Sequence, residues 1–169
     1  MDWTRGVLSS LGANDVDLVA SLPDAALDPL LSALESDPGI ETVTATREES
    51  AVGILSGAWL GGRRGALVCQ SSGLATTVNA LSSLNKPARI PFLGIVSRRG
   101  DLGEFNLAQV PFGYAASSVL DEIGIRNRTV SDAGEIGTAV DLAAKTAFST
   151  EEPYVLLLDA TVTGAKDEF

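Results

Sequence analysis

The sequence has no histidine and only one cysteine among its 169 residues. Without histidine, the chain contains no Ser-His-Asp triad, no Cys-His pair and no histidine-ligated metal. A single cysteine excludes both an intramolecular disulfide and a multi-cysteine zinc site. The G-x-G-x-x-G, P-loop and G-x-S-x-G patterns are also missing, so dinucleotide binding, P-loop chemistry and the usual hydrolase routes have no support.

Positive charge is scarce as well. Lysine and arginine number 12 against 22 acidic residues, which gives a net charge of −10. An acidic protein binds nucleic acid and anionic membranes poorly, so we expect neither as a partner. The N-terminus has no signal-like apolar run and no segment reaches the ~20 apolar residues of a membrane helix, so a soluble, cytoplasmic protein is expected.

The charge is unevenly distributed along the chain. Residues 47–130 carry a net charge of +3, whereas the flanking segments together carry −13. An anionic ligand would therefore be met by the middle section, although solvated surface arginines explain the same pattern.

Hydrophobic residues make up 45% of the chain, which indicates a packed core. The length predicts one domain over residues 1–163, and the charged residues 164–169 are expected to fray. Strands are predicted at Ile40–Ala45, Gly65–Cys69, Ile90–Ser97, Arg126–Val130 and Tyr154–Ala160, while Val16–Leu22 fits a strand or a buried helical turn. Helices are predicted at Leu27–Leu34, Glu49–Leu60, Leu74–Leu84, Ala115–Ile123 and Ala133–Ala147.

Alternating strands and helices predict a parallel sheet with helices on both faces. The expected fold class is α/β: a three-layer α/β/α, doubly wound, flavodoxin-like fold around a mostly parallel six-stranded sheet. Ligands of such folds bind beyond the carboxyl ends of the strands. The loops at 46–49, 70–73 and 97–104 therefore form the candidate functional edge.

Two glutamates stand at the start of the predicted third helix. Thr46 and Glu49 match a capping box, which gives Glu49 a structural role. Glu48 is left over, and on its residues alone it is explained by the positive end of the helix dipole.

Three further features have simple structural explanations. Gly53, Gly57 and Gly61 recur every four residues in this helix, and close packing against the sheet or another helix is the favoured interpretation over a flat ligand. Residues 70–73 read as a turn in which a serine caps the next helix, or as a polar loop that faces a ligand. Cys69 is expected in the core.

Three segments resemble a known family: TREESAVGILSGAWLGG, QSSGLATTVNALSSLN and SRRGDLGEFNLAQVPFG. Together they look like the alpha subunit of sulfopyruvate decarboxylase and the matching part of phosphonopyruvate decarboxylase. These are thiamine-diphosphate enzymes, and the matched part is their pyrimidine-binding domain, so the resemblance implies a thiamine-diphosphate-binding fold.

The resemblance also implies site residues. A glutamate that opens this helix in the wider family binds N1′ of the aminopyrimidine, and a glycine follows nine residues later; here these are Glu48 and Gly57. Ser72 and Gly73 are implied as further cofactor contacts. Substrate contacts are proposed for a third group, which comprises Gln70, Ser71 and Arg99, although a surface or subunit-interface position explains Arg98 and Arg99 equally well.

The family's diphosphate motif, which begins Gly-Asp-Gly, is absent, because Gly100-Asp101 is followed by Leu102. The resemblance therefore implies a beta subunit that holds Mg²⁺ and the diphosphate, within a homo- and hetero-oligomeric enzyme. The implied reaction converts the anionic 2-oxo acid 3-sulfopyruvate to sulfoacetaldehyde and CO₂. Phosphonopyruvate decarboxylation or another thiamine-dependent lyase activity is the alternative, and a non-catalytic flavodoxin-like binding subunit is the alternative of another class.

Overall fold

The computed structural model describes residues 3–164, which form a six-stranded sheet flanked by helices. The strands are β1 Val16–Ser21, β2 Glu41–Thr44, β3 Arg64–Gln70, β4 Leu93–Ser97, β5 Arg126–Val130 and β6 Tyr154–Leu158. The larger helices are α1 Trp3–Ala13, α2 Asp28–Glu35, α3 Glu48–Leu60, α7 Val110–Glu122 and α8 Ile136–Thr150. The shorter ones are α4 Ser71–Thr76, α5 Val78–Ala80, a π-helical turn Leu81–Asn85, α6 Lys86–Ala88 and α9 Ala160–Thr163.

The strand order is β2-β1-β3-β4-β6-β5, and every pairing is parallel. This confirms the expected α/β class. The sheet was predicted to be mostly parallel, and it is entirely parallel. Each face of the sheet carries its own apolar cluster. One is covered by α1, α2 and α8, and the other by α3, α4 and α7.

The sequence prediction missed α1 altogether. This helix buries Val7 and Leu11, which lie on one face, and it packs against α8. The two backbones approach closely at Gly6, where an added Cβ would lie 3.3 Å from the Cα of Gly137. The packing of α1 against the distant helix α8 stabilises it. The local sequence of this short segment therefore gives little indication of a helix.

Two helical segments extend beyond their predicted bounds, and each contains a proline in a first turn. The helix predicted at Leu74–Leu84 is a longer helical run that starts at Ser71 and continues through Pro87. Pro87 stands in the first turn of α6, where a missing N–H costs little, and the run ends at Arg89 in a left-handed conformation with φ 54°. α7 likewise begins five residues before the predicted start, with Pro111 in its first turn.

The segment Val16–Leu22 is resolved as a strand, Val16–Ser21. The prediction of a frayed tail concerns residues 164–169, of which 165–169 lie outside the described residues. Among residues 3–164, no helix is both long and apolar enough to cross a bilayer.

Candidate active site

Four neighbouring strands, β2, β1, β3 and β4, deliver their following loops to one edge of the sheet. All four strands are parallel, so their carboxyl ends meet there, which is the usual ligand-binding edge of such a fold. The predicted loops at 46–49, 70–73 and 97–104 all lie at this edge. The loop after β1, which the sequence analysis did not single out, joins them.

Glu48 and Gly73 are in direct contact. Glu48 is the first residue of α3 and is partly buried. Its carboxylate occupies the space above Gly73, where a Cβ would overlap it. Within residues 3–164, this carboxylate has neither a hydrogen bond nor an ion pair. The site therefore holds a half-buried carboxylate that is positioned by backbone and has no partner on the described chain.

Glu49 is placed quite differently. Its carboxylate accepts hydrogen bonds from Arg47 Nη2 at 2.9 Å and from Thr76 Oγ1 at 3.0 Å. The hydrogen bond from the Arg47 guanidinium is the main reason that the pKa of Glu49 is lowered to about 2. The predicted capping box is wrong, because Arg47 is the N-cap residue and makes no side-chain cap. Glu49 still has a structural role, but it comes from this surface ion pair.

The glycine face of α3 is open. Gly53, Gly57 and Gly61 are exposed, and a Cβ added at Gly53 or Gly57 would meet nothing within 4 Å. The expected close packing within the chain is therefore wrong for these two positions. The helix reaches the sheet through its opposite face, which includes Val52 and Leu55.

The loop after β3 turns into α4 without a serine cap. Gln70 is the N-cap residue and makes no side-chain cap, so the expected serine cap is wrong. Ser71 is fully buried, and its Oγ accepts the backbone N–H of Arg99 at 3.1 Å. Ser72 donates its hydroxyl to Gln70 Oε1 at 3.1 Å. The Ser71 bond ties this loop to the loop after β4, whereas the Ser72 bond lies within residues 70–72.

Arg99 is clamped by Glu104. Its Nε and Nη2 donate to the two carboxylate oxygens at 2.7 and 3.1 Å, while Nη1 is buried and has no hydrogen-bond partner among the described residues. Burial opposes ionisation of Glu104, yet the Arg99 bond and the backbone N–H groups of Asn106 and Gly100 lower its pKa to about 2. Arg99 also lines a small cavity beside Ala26 and Thr163.

Asp24, after β1, is the functional candidate that the sequence analysis missed. It is buried, and its Oδ2 accepts the hydroxyl of Ser97 at 2.5 Å. Cys69 is buried in the core, as predicted, and burial raises the pKa of its thiol, to which the charges of Glu48 and Asp24 add. The available signal is an aspartate three residues beyond the end of the apolar strand β1, in the segment Leu22-Pro23-Asp24.

We expect Gly73→Ala to displace the Glu48 carboxylate, because the added methyl group would occupy its position. The overlapped atoms belong to the flexible end of the Glu48 side chain, so this side chain should move rather than the backbone. Activity should fall about tenfold or more, and thermal denaturation should show a fold that is retained. The matched control is Gly12→Ala, because Gly12 lies in open space on α1. Full activity of the Gly73 variant would contradict the contact described here.

The fold and this edge define a class: a doubly wound α/β domain with two carboxylates beyond the carboxyl ends of the neighbouring strands β1 and β2. A domain of 2-oxoglutarate:ferredoxin oxidoreductase from Magnetococcus marinus shares the fold, with a TM-score of 0.76 at 14% identity. The match covers 96% of this chain and 29% of that one. No protein-family model matches the chain.

Sequence comparison narrows the class. The chain is 37% identical over 160 residues to the protein named sulfopyruvate decarboxylase subunit alpha from Methanococcus maripaludis, which covers 95% of this chain and 96% of that protein. It is 36% identical to phosphonopyruvate decarboxylase from Streptomyces viridochromogenes, but spans only 38% of that longer protein. The chain belongs to the family of sulfopyruvate decarboxylase alpha subunits.

Proposed function

We propose that this chain is the alpha subunit of a thiamine-diphosphate-dependent 2-oxo acid decarboxylase that converts 3-sulfopyruvate to sulfoacetaldehyde and CO₂. The observation that carries the proposal is the Glu48 carboxylate, which is half-buried, unpartnered on the described chain and held above Gly73. Its neighbour Glu49 is bound to Arg47 and Thr76. Only one of the two glutamates is therefore free to serve a ligand.

The site fits the aminopyrimidine end of the cofactor. Glu48 is available to hold a ring nitrogen, and Gly73 leaves room where any side chain would displace that carboxylate. Ser72 lies next to Gly73 in the same turn. A partly desolvated carboxylate is suited to exchange a proton with the atom that it binds. Thiamine diphosphate, when bound, supplies the electron sink for the carbon that loses CO₂.

Within the part of the chain that the structure describes, the charged end of the cofactor has no equivalent place. Among residues 3–164, no cluster of carboxylate or cysteine side chains is suited to hold a metal ion. Two arginines of these loops are engaged in ion pairs, as Arg47 pairs with Glu49, and Arg98 pairs with Asp101 and Asp159. We assign Mg²⁺ and the diphosphate to a beta subunit, which the name "subunit alpha" of the relatives supports. The 38% span of the longer phosphonopyruvate decarboxylase is consistent with a missing partner.

The surface that we propose for this partner is the α3 layer, which comprises α3, α4–α6 and the intervening π-helical turn. Residues 50–62 and 71–85 contain no charged side chain, although the chain as a whole carries a net charge of −10. The exposed face of α3 presents Gly53 and Gly57, and Leu60 is 77% exposed at its end. Depletion of charge and an exposed apolar anchor are typical of an interface core. This layer starts at Glu48, so a partner seated on it would complete the site.

For the substrate, we propose that Arg99 presents its free Nη1 to an oxyanion while Glu104 holds its other two nitrogens. Gln70 lies in the neighbouring loop as a second polar contact. The buried Ser71 positions Arg99 through its backbone. The planar guanidinium can donate from two nitrogens to Glu104 and from the third to the substrate, whereas an ammonium group has only one nitrogen.

Arg99→Lys is therefore expected to raise the KM for sulfopyruvate about tenfold or more, with a smaller effect on kcat, because a charge-assisted hydrogen bond contributes about 1.5–3 kcal/mol. The measurement is steady-state kinetics of the assembled enzyme. Arg128→Lys is the control, since that side chain is exposed on the edge strand β5 and pairs with Glu135. An unchanged KM for the Arg99 variant would remove Arg99 from the substrate site.

The experiment that tests the function is co-expression with a candidate beta subunit, followed by addition of thiamine diphosphate and Mg²⁺ and measurement of CO₂ release from sulfopyruvate. CO₂ release that requires both subunits is the expected result. No release from any 2-oxo acid would overturn the proposal and favour a non-catalytic binding subunit.

Phosphonopyruvate is the second candidate substrate, because a phosphonopyruvate decarboxylase is 36% identical to this chain. Both acids carry a carboxylate and a second oxyanion, so the site described here accepts either. A panel of sulfopyruvate, phosphonopyruvate and pyruvate, compared by kcat/KM, separates the two candidates from each other.

A further inference from the structure

Glu104, in the loop after β4, has a carboxylate that accepts five hydrogen bonds from its own loop. Its Oε2 accepts Arg99 Nε at 2.7 Å and the backbone N–H of Gly100 at 3.2 Å. Its Oε1 accepts Arg99 Nη2 at 3.1 Å and the backbone N–H groups of Phe105 and Asn106 at 3.1 and 2.9 Å. Donors in this number favour the ionised form of the carboxylate and fix its position.

The pair formed by Arg99 and Glu104 is almost entirely buried. The two side chains are 11% and 3% exposed, respectively, so water screens their charges weakly. Arg99 therefore presents a donor, Nη1, without presenting a net positive charge, because the opposite charge of Glu104 lies within hydrogen-bonding distance. An unpaired arginine would present both the donor and the charge.

The other loops at the carboxyl edge do not restore positive charge. Among the described residues, the basic side chains that directly follow the strands are each bound to a carboxylate, and they are Arg47, Arg98 and Arg99. Glu48 and Asp24 add two carboxylates that have no cationic partner within residues 3–164. Each additional negative charge on a ligand is therefore repelled by this edge.

The two candidate substrates differ in this property. Sulfopyruvate and phosphonopyruvate share a 2-oxo carboxylate, and each ends in a tetrahedral oxyanion. The sulfonate carries one negative charge at any pH used for enzyme assays. The phosphonate carries two above neutral pH, because its second proton dissociates near neutrality, as in a phosphate ester. Charge therefore separates the two acids better than shape does.

We propose that Glu104 determines the substrate preference of this site: by neutralising Arg99, it favours a 2-oxo acid with a singly charged sulfonate over one with a doubly charged phosphonate. This inference rests on the proposed function, in which Arg99 Nη1 binds the oxyanion of the substrate. Nη1 donates one directed hydrogen bond that either oxyanion accepts. Glu104 cancels the positive charge that would favour the second negative charge of the phosphonate. It acts through Arg99 and is therefore a positioning residue.

The test is Glu104→Gln in the assembled enzyme. The measured quantity is kcat/KM for phosphonopyruvate divided by kcat/KM for sulfopyruvate at about pH 8, where the phosphonate carries two charges. Glutamine keeps the size of the side chain and one oxygen acceptor for Arg99 but removes the charge. We expect the ratio to rise about tenfold or more, because Arg99 then presents a net charge at a weakly screened site. Displacement of Arg99 alone would lower both kcat/KM values together and leave the ratio unchanged.

Two control variants make the result specific. Glu104→Asp retains the charge, so the ratio should remain that of the unmodified enzyme even where both kcat/KM values fall. Glu135→Gln is the matched control, because it makes the same substitution in an exposed arginine–glutamate pair, with Arg128 on β5. It should leave both kcat/KM values unchanged.

A pH profile of the unmodified enzyme gives an independent readout. The hydrogen bonds described above lower the pKa of Glu104 to about 2, so Glu104 stays charged while the phosphonate takes up its proton between about pH 8 and 5.5. The ratio should therefore rise as the pH falls, and it should rise less in the Glu104→Gln enzyme.

The remaining charged groups near Arg99 affect both substrates alike. Arg98 and Asp101 line the same cavity, and Asp159 is bound to Arg98. The loop after β1 and the helix α9 contribute only uncharged side chains to this cavity, which include Ala26 and Thr163. Effects of these groups on the two kcat/KM values cancel in the ratio.

An unchanged ratio in the Glu104→Gln enzyme, or an equal rise in the Glu135→Gln enzyme, would overturn the role of Glu104. If neither Glu104 variant folds, the pH profile of the unmodified enzyme decides, and a ratio that stays constant or falls with falling pH overturns the inference. If the unmodified complex releases no CO₂ from either acid, the proposed function itself fails. CO₂ release with no charge-dependent preference removes only the role of Glu104.

Discussion

Glu48→Gln should lower CO₂ release from sulfopyruvate by about 10²–10⁴-fold, the usual contribution of a group that exchanges a proton during catalysis. Glutamine retains the size of the side chain and the start of α3, but its amide cannot take up and return a proton as the carboxylate does. The carboxylate has no other partner within residues 3–164, so the loss should be confined to catalysis. The measurement is kcat of the assembled enzyme, with the thermal midpoint as the check on folding.

Glu49→Gln provides a matched control one residue away. Its carboxylate is bound to Arg47 and Thr76 at the surface, and exposed ion pairs of this kind contribute little to stability. We expect activity close to that of the unmodified enzyme. Full activity of the Glu48 variant, or equal losses in both variants, would remove Glu48 from the catalytic role.

Gly57→Leu should have opposite effects on the chain alone and on the assembled enzyme. In the isolated chain the side chain enters open space, and replacing glycine within a helix stabilises by about 0.5–1 kcal/mol, so the thermal midpoint should rise by a few degrees. In the complex the same side chain would be forced into the proposed interface. Overpacking costs about 1–3 kcal/mol, which corresponds to about 5–150-fold weaker association.

Thermal denaturation of the isolated subunit, and titration of the variant with the beta subunit, would measure the two effects. Gly12→Leu is the control, because Gly12 is also exposed and unobstructed but lies on α1, in the opposite helical layer. It should assemble normally. Unchanged association of the Gly57 variant would move the partner surface away from the α3 layer.

The two experiments distinguish different failures. A Glu48 variant that assembles but does not react has lost chemistry. A Gly57 variant should regain activity at high concentration of the beta subunit, because only association has been weakened.

The two glutamates show how far local patterns reach. Thr46 and Glu49 have the spacing of a capping box, which predicts a structural role for Glu49. Local patterns predict no catalytic role for Glu48, and that role comes from the family resemblance alone. The structure separates the two side chains by their surroundings. Glu49 turns towards Arg47 and Thr76, and Glu48 lies over Gly73, 25 positions further along the chain. Which of the two glutamates is available to a ligand depends on how α3 packs against α4. Residue spacing along the sequence gives no information about this packing.

The glycines of α3 illustrate the opposite error. Their four-residue spacing places them on one face of the helix, but the predicted close packing within the chain is wrong, because Gly53 and Gly57 face open space. Local sequence cannot distinguish a face that packs inside the chain from one that awaits another molecule, since both favour small uncharged residues. The helix α1 was missed for a related reason, as its packing partner α8 is more than 100 residues away.

The sequence by itself determined the alternation of strands and helices, the buried parallel sheet and the loops that reach its carboxyl edge, because periodicity and strand composition are local properties of the chain. The absence of histidine and of the diphosphate motif is also evident from the sequence alone. Only the tertiary structure decided that Asp24 meets Ser97, that Glu48 rests on Gly73 and that Arg99 is clamped by Glu104. The first two contacts join segments far apart in sequence, and the order β2-β1-β3-β4 brings those segments to one edge.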